Sequence, residues 1–142
     1  MKSFFFLRIA AVLTFIHAAL HTIGGVFGKP APGPATVAVL AMKTNSFLMM
    51  GNTRTFWDFY RGLGLGITIF LTAEAIIFWQ LSLLAATGGR RLRPILITFL
   101  VAYAVLAVNS YAYFFIAPVI VEAVIAACLL LSIITAKSAP EA

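Results

Sequence analysis

The chain has 142 residues, 63% of them hydrophobic and only 10% charged, and its mean hydropathy is +1.06. A soluble domain carries about 25% charged residues, so this composition excludes a chain that faces water on every side. The formal net charge of +6 does not point to nucleic acid, because the basic residues cluster at the ends of apolar runs, where lipid phosphates are the anions within reach.

In chain order, apolar runs cover residues 4–26, 60–86 (with a start as early as Trp57), 94–111 and 114–136. Each is close to the ~20 residues a helix needs to cross a ~30 Å hydrocarbon core. The runs are continuous rather than alternating, which favours helices over a barrel as the way to satisfy every backbone group in lipid. The expected fold class is all-α. It is an integral membrane four-helix bundle forming one domain over residues 1–136, followed by a flexible tail at 137–142. Residues 1–28 begin like a signal peptide. Arg8 interrupts the apolar stretch, however, and His17 and His21 stand where a small-residue cleavage site belongs, so the run is read as the first span.

The outer loop, 27–56, opens with Lys29-Pro30-Ala31-Pro32-Gly33-Pro34, an extended helix-breaking linker. Residues 36–50 mix apolar side chains with Lys43, Thr44, Asn45 and Ser46; they are too short to span and read as an amphipathic interfacial helix or a cap over the bundle mouth. Met42, Met49 and Met50 there are read as loose apolar packing in preference to a soft-metal site. The next stretch, Arg54 to Gly66, is the most distinctive. Asp58 and Arg61 are three apart and suited to pairing on a helix. Phe56, Trp57 and Tyr60 suit an aromatic anchor at the interface, and Gly62 and Gly66 form a GxxxG that permits close helix contact, a route to a homo-oligomer. A second reading has Asp58, Tyr60 and Arg61 at a pocket mouth, binding a polar head group.

Gly88-Gly89-Arg90-Arg91-Leu92-Arg93-Pro94 ends the second span and starts the third, with Pro94 fitted to a first helical turn. The basic residues of this loop are expected to set topology and touch anionic lipid. Pro118 fits the first turn of the fourth span, so the third and fourth spans form a tight antiparallel hairpin. Lys2, Arg8, Arg90, Arg91, Arg93 and Lys137 then share one side, and Lys29, Lys43, Arg54 and Arg61 the other. The positive-inside rule makes the first side cytoplasmic, N-in and C-in. Cys128 is the single cysteine; it has no intramolecular disulfide partner and reads as a buried inert thiol.

Ionisable groups at membrane depth are costly and are functional candidates by default. Four stand out: His17, His21, Glu74 and Glu122, with Asn109, Gln80, Tyr103 and Thr72 behind them. His17 and His21 are four apart on one helix face. Glu122 lies about 12 Å into the fourth span, at a depth comparable with His17. Glu74 shares its helix face with Leu63, Ile67, Phe70, Leu71 and Phe78, an apolar wall suited to a pocket for an apolar ligand or to ordinary packing. Three readings stay open. The acids fasten helices together as neutral hydrogen-bonding groups. A His–Glu pair shuttles a proton to a lipophilic substrate. Or two histidines and carboxylates bind metal or haem, which is disfavoured because both histidines lie on one helix and no Cys/His spacing supports it. No cofactor is expected.

With His21-Thr22-Ile23-Gly24-Gly25 upstream of Phe56-Trp57-Asp58-Phe59-Tyr60-Arg61-Gly62-Leu63-Gly64, the chain resembles a family of small bacterial inner-membrane proteins of about this length, with four predicted spans and no assigned activity. The resemblance implies a bacterial inner-membrane setting and supplies no mechanism. In architecture and residue type the chain is also similar to the emopamil-binding-protein class of sterol isomerases and sigma-2-type receptors; no motif matches residue by residue, so no catalytic residue carries over. The glutathione-binding four-helix membrane enzymes share size and basicity, but their arginine-rich motif is absent.

The leading expectation is therefore a bundle that binds a hydrophobic small molecule or lipid. Its contacts would be His17, His21, Asp58, Tyr60, Arg61, Ile67, Phe70, Glu74, Tyr103, Asn109 and Glu122. The alternatives are a proton-transfer enzyme using His17, His21, Glu74 or Glu122, and an accessory subunit of a membrane complex.

Overall fold

A computed structural model describes residues 2–136; the expected flexible tail, 137–142, lies outside the described residues. The elements in order are α1 (Lys2–Leu20), a wide π turn (His21–Val26), α2 (Pro34–Thr44), β1 (Ser46–Met49), β2 (Asn52–Thr55), α3 (Phe56–Gly88), a short 3-10 segment (Gly89–Leu92), α4 (Arg93–Tyr113) and α5 (Ile116–Thr135). The all-α class holds, with a two-stranded hairpin added. Three stretches are long and apolar enough to cross a membrane: Lys2–Val26, Phe56–Tyr113 and Ile116–Thr135. The second contains both α3 and α4.

The outer loop differs from expectation. Its helix is α2, which starts at Pro34 and stops at Thr44 rather than running to Met50. The chain then turns back on itself, pairing Ser46 with Thr55 and Met49 with Asn52. Met50 (φ 50°) and Gly51 (φ 81°) both adopt the left-handed region, as a two-residue type I′ turn requires. Asn52 Nδ2 donates to the Met50 carbonyl at 3.3 Å and steadies that turn. The second span also starts earlier than residue 60, because the hairpin delivers the chain directly into α3 at Phe56.

The chain forms two compact units. One joins the chain up to His17 with everything from Leu71 onward; the other is Ala18–Phe70. The first unit holds the apolar core: Leu7, Ala10, Ala11, Phe78, Leu81, Ala85, Leu96, Tyr103, Ile125, Cys128 and Leu129. Its helices are apolar on every side, so hydrophobicity does not choose which face turns inward. Small and polar residues do, since they admit close approach and find hydrogen bonds only there. Thus α1 buries Ser3, Leu7, Ala10, Ala11 and Thr14, and α5 buries Glu122, Ile125, Cys128, Leu129 and Ser132. On α4 the buried residues are Leu96, Tyr103 and Ser110, spaced by whole pairs of turns along one stripe.

Both ends of this unit are tied. Ser3 Oγ and Ser132 Oγ lie 2.7 Å apart. Pro94 stands in the first turn of α4 and Pro118 in that of α5, as the turn chemistry requires. The residues between them, Phe114 and Phe115, leave α4 and α5 as a hairpin. Arg93 Nε donates to the Ile133 carbonyl at 3.2 Å, near the end of α5, where helix carbonyls lack intrahelical partners. Arg93 is therefore a helix cap, while Arg90 and Arg91 are exposed.

Candidate functional site

In the unit that contains the core, Glu74 and Glu122 face inward. Glu122 is 2% exposed and accepts a hydrogen bond from Ser110 Oγ at 3.0 Å, linking α5 to α4. Glu74 is half-buried and its Oε2 accepts from Tyr103 Oη at 2.8 Å, linking α3 to α4. Thr14 Oγ1 lies 3.3 Å from the same phenol oxygen. Tyr103 has one hydroxyl hydrogen and spends it on Glu74, so Thr14 is the donor in the second bond. The result is a hydrogen-bonded chain Thr14–Tyr103–Glu74 across α1, α4 and α3. Ser110 is seven residues beyond Tyr103, so the two acids are held at levels about 10 Å apart along one stripe of α4.

Asn109 does not join this cluster. It is exposed, and its neighbour Ser110 takes the inward position. Gln80 is exposed as well, and His17 is half-buried on α1. Cys128 is a free, buried thiol, as read. Among the described residues no group of three or more His, Cys, Asp or Glu comes together in a way that would hold a metal ion.

The unit Ala18–Phe70 brings together the two stretches that are most distinctive in the sequence. His21 Nε2 lies 3.1 Å from the Gly64 carbonyl. A carbonyl only accepts, so Nε2 carries the hydrogen and the tautomer is set. Tyr60 Oη donates to the Gly25 carbonyl at 2.9 Å, a carbonyl of the π turn. Thr22 Oγ1 donates to the Ala18 carbonyl at 2.7 Å and lies 2.8 Å from Thr68 Oγ1. Gly64 is what permits this approach: a Cβ there would stand 2.8 Å from Val26 Cγ2, inside van der Waals contact. Val26 itself is 2% exposed. Of the three glycines at 62, 64 and 66, the one in close contact is thus Gly64, whereas added Cβ atoms at Gly62 and Gly66 would meet nothing within 4 Å.

Asp58 has a different partner from the one its spacing suggested. Its Oδ2 accepts from Thr55 N–H at 2.8 Å and from Thr55 Oγ1 at 3.0 Å, and its own N–H donates to Thr55 Oγ1 at 3.2 Å. This reciprocal arrangement is a capping box that closes the start of α3. Arg61 instead sits over the Phe27 ring at 5.1 Å, and Lys43 sits over Trp57 at 4.4 Å. Trp57 stacks on Tyr60 with centroids 5.2 Å apart, and Phe47 of the hairpin stacks on Phe59 at 6.0 Å. These contacts tie α2 and the hairpin to the start of α3 through Lys43 and the aromatic rings, while Arg61 ties α3 to Phe27. Ile67 (47% exposed) and Phe70 (72%) point outward with Leu63 (70%). With Phe59, Gly62 and Gly66 they form an outward stripe of α3.

No family model, curated protein or solved structure matches this chain. The chain's own geometry therefore carries the functional reading. Two shallow grooves stand out on the surface, one lined by Arg8, Ile9, Val12, Leu13 and Trp79, the other by Arg54, Asp58, Phe59, Gly62 and Leu63. Neither touches a histidine or a glutamate. Ser110, Thr14, Ser3 and Ser132 were not singled out from sequence; their signal was helical register with Tyr103, Leu7 and Glu122.

Proposed function

We propose that this chain is a four-pass membrane protein, with both termini and the 88–93 loop on the cytoplasmic side, that works as an accessory subunit by associating with helices of other chains. The resemblance noted from sequence favours a bacterial inner membrane. One observation carries this reading. The intramembrane acids have partners inside the core unit, Tyr103 and Ser110, while the Gly62/Gly66 face of α3 stands open. Large side chains, Phe59, Leu63 and Phe70, flank those glycines. Small residues bordered by large ones let a second helix approach closely in lipid, where packing rather than hydrophobicity drives association.

The test replaces Gly62 and Gly66 with Ile and follows association in bilayers by energy transfer between labelled copies and by co-purification with native membrane partners. Association should fall about tenfold, the order expected when overpacking a close contact costs about 1–3 kcal/mol, with helicity unchanged. Equal association by the Ile variant would end the proposal.

A pocket for a lipophilic molecule keeps one supporting observation: Glu122 Oε2 is buried and has no hydrogen-bond partner. A ligand hydroxyl or amine would satisfy it. Glu122→Gln should then alter the thermal stabilisation conferred by a panel of sterols and quinones, whereas a fastening role leaves that panel without effect on either protein. The proton-transfer enzyme needs a His–Glu pair within hydrogen-bond reach, and His21 is committed to a backbone carbonyl.

A further inference from the structure

We infer that Arg8 and Trp79 form a binding site for one anionic phospholipid, its phosphate on the Arg8 guanidinium and an acyl chain along the adjoining groove. The inference rests on the membrane-spanning reading above. Arg8 lies about 9 Å along α1 from Lys2, within an apolar run where a bare cation is costly. Its guanidinium carbon sits 3.9 Å from the Trp79 ring centroid and 4.6 Å from that of Phe4, so the side chain is held against two aromatic faces. Yet Nε is buried without a hydrogen-bond partner. Among the described residues no carboxylate pairs with Arg8 and no oxygen accepts from it.

Stacking uses the faces of a guanidinium and burial closes Nε, which leaves the edge formed by the two terminal nitrogens, a fork that takes phosphate oxygens in pairs. The groove beside it is lined by Ile9, Val12, Leu13 and Trp79, all apolar surface suited to a hydrocarbon chain. Positive charge without an internal counter-ion, next to an apolar furrow on a lipid-facing helix, matches an anionic lipid at both ends of the molecule. Two cation–π contacts give Arg8 a fixed pose, so the site is built rather than formed by a wandering side chain.

Trp79 reports on its own groove. In the Trp57→Phe variant it is the single tryptophan, the chain having two. The protein is placed in phosphatidylcholine vesicles containing equal minor fractions of phosphatidylglycerol and a second phosphatidylcholine, with bromine on the acyl chains of one or the other. Brominated phosphatidylglycerol should be enriched at Trp79 about fivefold over brominated phosphatidylcholine, the factor that about 1 kcal/mol per basic residue provides. Arg8→Gln should abolish the preference, and Arg8→Lys, which keeps charge but loses the planar fork, should reduce it. Equal quenching by both lipids overturns the site while leaving the membrane reading intact. Quenching by neither overturns both. A preference that survives unchanged in Arg8→Gln, or in Arg8→Lys where Arg8→Gln does not insert, assigns the attraction to the exposed Arg90 and Arg91 and overturns the site.

Discussion

Tyr103 holds more of the polar interior than either acid. It donates to Glu74 and accepts from Thr14, so Tyr103→Phe removes two interhelical bonds at once and leaves Glu74 Oε2 without its donor. In water such an orphaned group costs about 1–3 kcal/mol. In a bilayer the separated helices find other partners, and measured interhelical bonds average about 0.6 and reach about 1.7 kcal/mol. For the proposed membrane protein the bilayer value applies. Tyr103→Phe should lower unfolding stability in mixed micelles by roughly 0.6–1.7 kcal/mol, and Glu74→Gln, which can still accept from the phenol, by less. Equal losses for the two would place the stabilisation in charge rather than in hydrogen bonding. Glycine gives a second contrast. Gly64→Ala drives a methyl into Val26, a β-branched side chain with little freedom to turn aside, and should destabilise by about 1–3 kcal/mol. Gly66→Ala in isolated monomers should stabilise by up to about 1 kcal/mol through helix propensity, because nothing stands near it. Thermal unfolding of the two variants side by side checks both signs.

Elements reveal why some of this was legible from the sequence and some was not. Glu74 and Glu122 were readable as inward from cost alone, since lipid tails cannot solvate them. The face of α4 was not readable that way. Its residues are apolar on all sides, no hydrophobic stripe fixes the rotation, and one residue of error, about 100°, exchanged exposed Asn109 for buried Ser110. The spans of α4 and α5 were legible because Pro94 and Pro118 mark their starts. The hairpin was missed because its turn uses Met50 in a left-handed conformation that a methionine rarely adopts, although Gly51 beside it was the available signal. The capping box was also hidden, since Asp58–Arg61 spacing competes with Thr55–Asp58 for the same carboxylate. Thr55→Ala should open the first turn of α3, raising amide exchange at 56–59 about fivefold with little change deeper in the helix. Unchanged exchange there would mean that the Phe47–Phe59 stacking alone holds the turn.

For the molecule as a whole, the proposal of four passes makes a geometric demand. Residue 91 and residue 43 must lie on opposite sides of the membrane. In a Cys128→Ala background, a membrane-impermeant maleimide added to intact spheroplasts should label Lys43→Cys and spare Arg91→Cys until the membrane is breached. Labelling of both from outside would remove a crossing and, with it, the assignment of the termini to the cytoplasm.

The π turn at 21–26 has a consequence that substitution cannot expose. Phe27 N–H reaches back to the Thr22 carbonyl at 3.0 Å, one residue further than an α-helix allows, so the backbone accommodates one surplus residue in that turn. Deleting Ile23, which is 69% exposed, would let the segment close as an ordinary helix. Because the wide turn already absorbs that residue, later positions would keep their place about the axis, with Val26 still against Gly64 and the Gly25 carbonyl still within reach of the Tyr60 hydroxyl. A frame-preserving loss of one codon would thus be tolerated in this turn, whereas the same loss within α1 would rotate every later position by roughly 100°.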